Sequence, residues 1–251
     1  MGFLDRFWKK RERESRPHVT AIIAAAGSGS RMGDSYGCGK QLIELRGEPV
    51  IAHTLRAFQR AETIDEIVIV AREEELVTIA DIVKGIEADK VTEIVVGGSS
   101  RQESVSKGLS RVSPKSHFIA IHDGARPLIR PELIDRTARA ALEHGAAAVG
   151  VPVKDTLKHV SAGGFIAGTV DRETLVQIQT PQIFELKQYA AGIALAVTEG
   201  AEYTDDCQLY ERLGKPIRLV PGDYENIKIT TREDLDIAEA MLERRVEELL
   251  R

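Results

Sequence analysis

Short apolar runs alternate with amphipathic stretches from residue 19 onward. Residues 19–26 form an unbroken run of small and β-branched side chains, the pattern of a strand buried on both faces. Residues 49–60 follow, with Val50, Ile51, Leu55 and Phe58 at helical spacing and Pro49 near the start, where a helix tolerates it. The strand signal returns at 66–71, 93–96, 117–122 and 146–153, and helical patterns occupy 73–84, 102–111 and 131–144. Strands separated by helices predict an α/β fold: a Rossmann-like, mostly parallel twisted sheet with right-handed crossovers and helices on its faces. Ligands in such sheets bind at the carboxyl ends of the strands.

Residues 154–170 break this rhythm. They alternate without helical period around Ser161-Ala162-Gly163-Gly164, a hairpin signal, and so predict an arm projecting from the body. Helical patterns resume at 186–199 and 205–213, and a strand at 217–220. Thr230 and Glu233 have the spacing of a capping box, opening a last helix with Leu235, Ala238, Leu242, Val246 and Leu249 on one face. The expected organisation is a tail over 1–17 and one domain over 18–251, with the arm at about 154–175.

The chain has 251 residues, 43% of them hydrophobic, enough for a substantial core. A net charge of −5 argues against general nucleic-acid binding, which needs a basic face. The two cysteines, Cys38 and Cys207, fit no metal-ligand spacing and suit a reducing, cytoplasmic setting. No apolar run approaches the ~20 residues of a membrane span. Residues 1–17 lack the apolar core of a signal peptide, and Arg6 breaks the myristoylation pattern. Phe3, Leu4, Phe7 and Trp8 beside a basic run suggest a membrane or partner anchor; a frayed tail is the preferred reading.

The first strand runs into Gly27-Ser28-Gly29-Ser30-Arg31-Met32-Gly33. Glycines there let backbone N–H groups approach phosphate oxygens. The dinucleotide fingerprint is excluded because Met32 stands where it needs glycine. The Walker loop is excluded because Asp34 and Gln41 occupy its first glycine and its final Ser/Thr, counted from Lys40. Arg31 and Lys40 bracket the loop, one able to clamp phosphate with two bonds and the other a point charge.

A second candidate cluster is His122-Asp123-Gly124-Ala125-Arg126-Pro127 at a strand end. Asp123 suits Mg²⁺, which takes one or two carboxylates plus substrate phosphates. Arg126 offers charge to phosphate, or simply pairs with Asp123 within the turn. His122 reads as a packing and hydrogen-bonding residue. Residues 97–104 join a strand to a helix; their glycines suit a flat base, Ser104 can bond it, and Ser100 is also an ordinary helix cap. Basic groups, a carboxylate and glycine loops together suit phosphoryl or nucleotidyl transfer, where positioning and electrostatics dominate. A phosphate acceptor is already anionic near pH 7, so the task is to screen repulsion rather than to abstract a proton.

These segments carry a resemblance. With Lys40-Gln41, Val153-Lys154-Asp155-Thr156-Leu157-Lys158, Thr169-Val170-Asp171-Arg172, Gln179-Thr180-Pro181-Gln182, Thr204-Asp205-Asp206 and Glu225-Asn226-Ile227-Lys228-Ile229-Thr230, the chain resembles the 2-C-methyl-D-erythritol 4-phosphate cytidylyltransferases of isoprenoid synthesis from about residue 19 onward. The resemblance implies a nucleotide-diphospho-sugar transferase-like fold and transfer of CMP from CTP to a polyol phosphate. Arg31, Lys40 and Lys228 would be catalytic, and Ala25, Ala26, Gly27, Gly98, Ser104 and Asp123 would bind CTP. Arg126, Thr156, Arg172, Thr180, Thr204 and Lys228 would bind the acceptor. Asp123 would hold Mg²⁺ or another divalent metal, with Glu225 in position for a second acidic contact.

It also implies a homodimer through exchanged arms, so that Thr156 and Arg172 act in the neighbour's site. One departure stands out: Gly39 occupies the usual place of a proline before the lysine, a looser backbone for Lys40. Three other readings stay open: a ribitol 5-phosphate cytidylyltransferase, a sugar-1-phosphate nucleotidyltransferase using purine triphosphates, and a nucleotide-binding regulator without catalysis.

Overall fold

The computed structural model describes residues 16–27 and 39–249. β1 (His18–Ala24) lies inside a seven-stranded sheet because it is apolar on both sides: Val19, Ala21 and Ile23 enter one core cluster and Ile22 the other. A short ribbon of β2 (Glu44–Leu45) and β3 (Glu48–Pro49) leads into α1 (Val50–Arg60), which buries Ile51, Leu55 and Phe58 against the sheet. β4 (Glu66–Ala71) pairs parallel with β1; a single 3₁₀ turn (Glu73–Glu75) and α2 (Leu76–Gly85) then cross over to β5 (Val91–Val96), parallel to β4.

α3 (Arg101–Leu109) returns the chain to β6 (Ser116–Asp123), on the other side of β1. α4 (Pro131–His144) covers the expected residues; Pro131 occupies its first turn and Gly145, at φ 86°, closes it with an N–H bond to the Ala141 carbonyl. β7 (Ala146–Pro152) follows, then the arm: β8 (Lys158–Val160) and β9 (Ile166–Thr169) pair as an antiparallel hairpin, with Gly164 at φ 80° in the turn.

The sequence pattern missed β10 (Val176–Glu185). It inserts antiparallel between β6 and β7, and its register shifts between Ile178 and Gln182, beside a cis Thr180–Pro181 peptide. α5 (Leu186–Glu199) and α6 (Cys207–Arg212) lead to β11 (Arg218–Pro221), and the sheet order is β11-β7-β10-β6-β1-β4-β5. One core holds α1, α2 and α4 against one face; the second holds α3, α5 and α6 against the other.

α7 (Arg232–Leu249) closes a third, smaller core with Ala238 against Leu45, Val50, Leu128 and Ile229. Its capping differs from the expected pair by one residue at each end: Asp234 accepts from the Thr231 N–H at 2.8 Å, and Thr231 Oγ1 accepts from the Asp234 N–H at 3.3 Å. Val246 is exposed rather than part of the apolar face, and the Leu249 side chain lies outside the described residues. Arg16, assigned to the tail, is tied to Asp65 at 2.8 Å and to the Glu62 carbonyl; residues 1–15 lie outside the described ones.

Candidate active site

A cavity of about 540 Å³ opens where β1, β4, β5 and β6 end. Eight residues expected from the sequence share its wall: Ala25, Ala26, Gly27, Lys40, Gly98, Ser104, Asp123 and Lys228. Parallel strands bring them together, since each strand delivers its following loop to the same rim. The end of β1 is pinned on both sides, by the Ala25 N–H to the Val70 carbonyl at 2.7 Å and the Gly124 N–H to the Ala24 carbonyl at 2.9 Å.

Asp123 is the electrostatic centre. Its Oδ2 lies 2.9 Å from Lys228 Nζ and 3.4 Å from Arg126 Nε, and its Oδ1 lies 3.5 Å from Arg101 Nε. Burial pushes this carboxyl up, but the charges of Lys228, Arg101 and Arg126 outweigh it and hold Asp123 well below the usual range. The Asp123 N–H donates to Thr180 Oγ1 at 3.1 Å, and that oxygen also lies 3.0 Å from His122 Nδ1. His122 is fully buried against Phe58, and burial takes its pKa down to about 3. It is therefore a neutral hydrogen-bonding group at physiological pH, as its sequence context predicts.

Arg126 is not on the cavity wall. It pairs with Asp123 and donates to the Asn226 carbonyl at 2.8 Å, so it ties the acidic turn to the loop that carries Lys228. The Ile229 N–H to the Ala125 carbonyl at 2.9 Å makes the same connection through backbone.

Sequence reasoning missed Arg101. It lines the cavity and reaches Asp206 Oδ2 at 2.6 Å as well as Asp123. Burial draws the guanidinium down, and the charges of Asp206 and Asp123 more than reverse this, keeping it cationic. Asp206 is buried and also accepts from Tyr189 Oη at 2.6 Å. Within the Thr204-Asp205-Asp206 segment, it is the second aspartate that anchors this arginine. Ser100 caps α3 by accepting the Glu103 N–H at 3.2 Å, as an ordinary helix cap does, and it also lines the cavity. Ser104 Oγ accepts from the Gly98 N–H at 3.0 Å, and a Cβ on Gly97 would overlap Ala26, so glycine lets the two loops approach.

The remaining expected residues lie elsewhere. Thr180 is buried behind the hydrogen bonds just described, and Thr204 is exposed, accepting from Gln208 Nε2 at 2.8 Å. Thr156 and Arg172 are exposed at the arm, away from this chain's cavity wall; Arg172 donates to the Lys154 carbonyl. Arg31 and Cys38 lie outside the described residues. Glu225 does not supply the second acidic contact: it is bound by Arg130 at 3.0 Å, Arg245 at 2.8 Å and Arg244, off the cavity wall.

Among the described residues, no three His, Cys, Asp or Glu side chains gather into a metal cage. Asp123, with an Oδ1 held only at 3.5 Å by Arg101, fits the other kind of site, in which one carboxylate shares Mg²⁺ with substrate phosphates. No described helix is long and apolar enough to cross a membrane.

Comparison with known proteins decides the family. The sequence model of the 2-C-methyl-D-erythritol 4-phosphate cytidylyltransferase family matches residues 19–244. The chain belongs to this family. Cytidylyltransferases of that name from Pelotomaculum thermopropionicum and Caldanaerobacter subterraneus are similar to it. The first is 43% identical over 228 residues, covering 90% of this chain and 95% of the relative. The second is 44% identical over 226 residues, covering 90% and 99%. The fold of this cytidylyltransferase matches the crystal structure of 4-diphosphocytidyl-2C-methyl-D-erythritol synthase from Anaerococcus prevotii, with a TM-score of 0.80, 33% identity and coverage of 90% of this chain and 99% of that one. The Thermus thermophilus cytidylyltransferase gives 0.71 at 31% identity, covering 89% and 98%.

Proposed function

We propose that the protein transfers CMP from CTP to 2-C-methyl-D-erythritol 4-phosphate, giving 4-diphosphocytidyl-2-C-methyl-D-erythritol and pyrophosphate, in isoprenoid precursor synthesis. Family membership supports the nucleotidyltransferase activity. The observation that carries the site assignment is the meeting of Asp123, Lys228 and Arg101 in the cavity at the end of β1.

In this reading an acceptor phosphate oxygen attacks the α-phosphorus of CTP. A new P–O bond forms, the bond to the bridging oxygen breaks, and pyrophosphate leaves with the electron pair. No proton needs to be removed, because the acceptor phosphate is already anionic near pH 7. Lys40, Lys228 and Arg31 screen the approach of two anions and the charge that builds on the α-phosphate. Ala25, Ala26 and Gly27 present backbone to the nucleotide; Gly98 and Ser104 would flank the cytosine. Asp123 would hold Mg²⁺, which when bound neutralises phosphate charge. Arg101 and Arg126 keep the Asp123 carboxylate ionised and fixed.

The acceptor side is completed by a second copy. Val160, Phe165 and Ile166 on the arm are more than 60% exposed, an apolar tip that suits exchange between subunits of a homodimer. Thr156 and Arg172, which do not line this chain's cavity, would then serve the partner's acceptor site, and Thr180 and Thr204 would support it from within. The free, buried thiol of Cys207 is in keeping with a cytoplasmic setting.

The test is pyrophosphate release with CTP and a small panel of polyol phosphates, with ATP in competition. The methylerythritol phosphate is expected to be turned over in strong preference to ribitol 5-phosphate. The opposite preference would replace the acceptor, and CTP binding without pyrophosphate release would replace the enzyme reading with a regulator.

A further inference from the structure

Lys40 sits on a single 3₁₀ turn (Lys40–Leu42), too short to fix its own position. What holds that turn is a side chain from the next crossover. Glu75, almost fully buried at 3% exposure, ends the 3₁₀ turn that precedes α2. Its Oε1 accepts the Gly39 N–H at 2.8 Å and a bond from Arg72 Nη2. Its Oε2 accepts from Gln41 Nε2 at 2.8 Å, and the same Gln41 amide donates to the Ala25 carbonyl at the end of β1. One carboxylate thus joins the residues on both sides of Lys40 to the β1 rim and to Arg72, a cation on the cavity wall. A buried carboxylate is tolerated only when its oxygens are satisfied in this way.

The glycine belongs to the device. Its φ of −64° is one that proline also adopts, so the dihedral does not require glycine. Proline, however, has no N–H to give Glu75. A Cβ at position 39 would also overlap Glu75 Oε1 and lie 2.7 Å from Arg72 Nη2 and 2.8 Å from Gln41 Nε2.

We propose that Glu75 is a positioning residue for Lys40, with the Gly39 N–H as its designated partner, so that a carboxylate rather than a rigid imide backbone orders this segment. The proposal rests on the reading of Lys40 as a transition-state group. The loosening expected from Gly39 is then countered by Glu75 across the cavity wall.

Four variants of the full chain test it: Glu75→Ala, Glu75→Gln, Gly39→Pro and the Gly39→Pro/Glu75→Ala pair, with Lys40→Ala as reference. Glu75→Ala is expected to lower kcat by a factor on the order of 10–10², the usual cost of a misplaced catalytic group, with little change in KM for CTP. Glu75→Gln, which keeps an acceptor for Gly39, should restore part of it. The pair should lose no more than the worse single change, because both break one contact. Amide hydrogen exchange over residues 39–42 should quicken in Glu75→Ala while β1 and α1 stay protected.

Unchanged exchange there, or losses that multiply in the pair, would overturn the proposal. Normal kcat in Glu75→Ala beside an impaired Lys40→Ala would also overturn it and leave the Lys40 reading standing. If Lys40→Ala itself turns over normally, that underlying reading fails, and exchange at residues 39–42 still decides whether Glu75 orders the segment.

Discussion

Lys228 Nζ lies 2.9 Å from Asp123 Oδ2, and both line the cavity at the end of β1. The pair joins the loop before α7 to the end of β6 and puts a cation beside the carboxylate proposed to hold the metal. Lys228→Ala is expected to slow pyrophosphate release by a factor on the order of 10²–10³, the cost of one lost transition-state donor. Lys228→Arg should recover part of that rate by restoring charge. A Lys228→Ala enzyme running near the wild-type rate would remove this lysine from the chemistry.

Arg31 and Lys40 are expected to act on the same charge from the first loop. Arg31→Ala and Lys40→Ala should each reduce kcat by on the order of 10²–10³. Steady-state assays with saturating CTP and acceptor check this; near-normal turnover in both would leave the glycine loop as a binding element alone.

Arg172 lies on the arm, where its guanidinium donates to its own chain's Lys154 carbonyl. Arg172→Ala should therefore raise KM for the acceptor far more than for CTP. Mixed dimers of Arg172→Ala and Lys40→Ala subunits should regain activity, because under the proposed arm exchange one of the two sites receives both intact residues. Absence of any recovery would mean that each site is built within one chain.

Glu225 anchors α7 through Arg244 and Arg245 and reaches Arg130 before α4. Burial pushes its pKa up, but hydrogen bonds from Arg130, Arg245 and Arg244 outweigh this and bring it down from 4.5 to about 2. A lowered pKa means the stabilisation is complete above the unfolded value and is lost as pH falls from about 4.5 through about 2. Glu225→Gln should cost about 1–3 kcal/mol in urea unfolding at pH 7. The gap between variant and wild type should close as the pH approaches 2. A gap that stays constant across this range would assign the loss to packing.

Much of the fold was legible because periodicity reports burial. β1 and β4 are apolar on both faces, and α4 carries its proline, its apolar stripe and its closing glycine in sequence order. β10 was hidden for the converse reason. Gln179, Thr180 and Gln182 look like loop residues and Pro181 argues against an inner strand. Each polar group finds a specific partner: Gln182 Oε1 takes the Asp206 N–H at 3.0 Å, Thr180 meets His122, and Gln179 reaches the Asp223 carbonyl at 2.9 Å.

The cavity's backbone residues and lysines could be picked out because glycine loops and lone cations stand out locally. Arg101 could not, since its partner Asp206 is 105 residues away and an arginine after a serine cap looks like helix surface. Glu75 was equally silent: three consecutive glutamates read as a solvated helix start, yet only the third is buried.

The antiparallel placement of β10 beside β7 fixes where the arm leaves the body. Val176 stands opposite Pro152, so the chain departs and returns at the two ends of one rung of the β7–β10 ladder. A segment inserted there behaves as an oversized hairpin loop. Its length and tip can change over evolution without shifting any strand of the sheet, so the acceptor role proposed for the arm can be re-tailored while the cavity at the ends of four strands stays as it is.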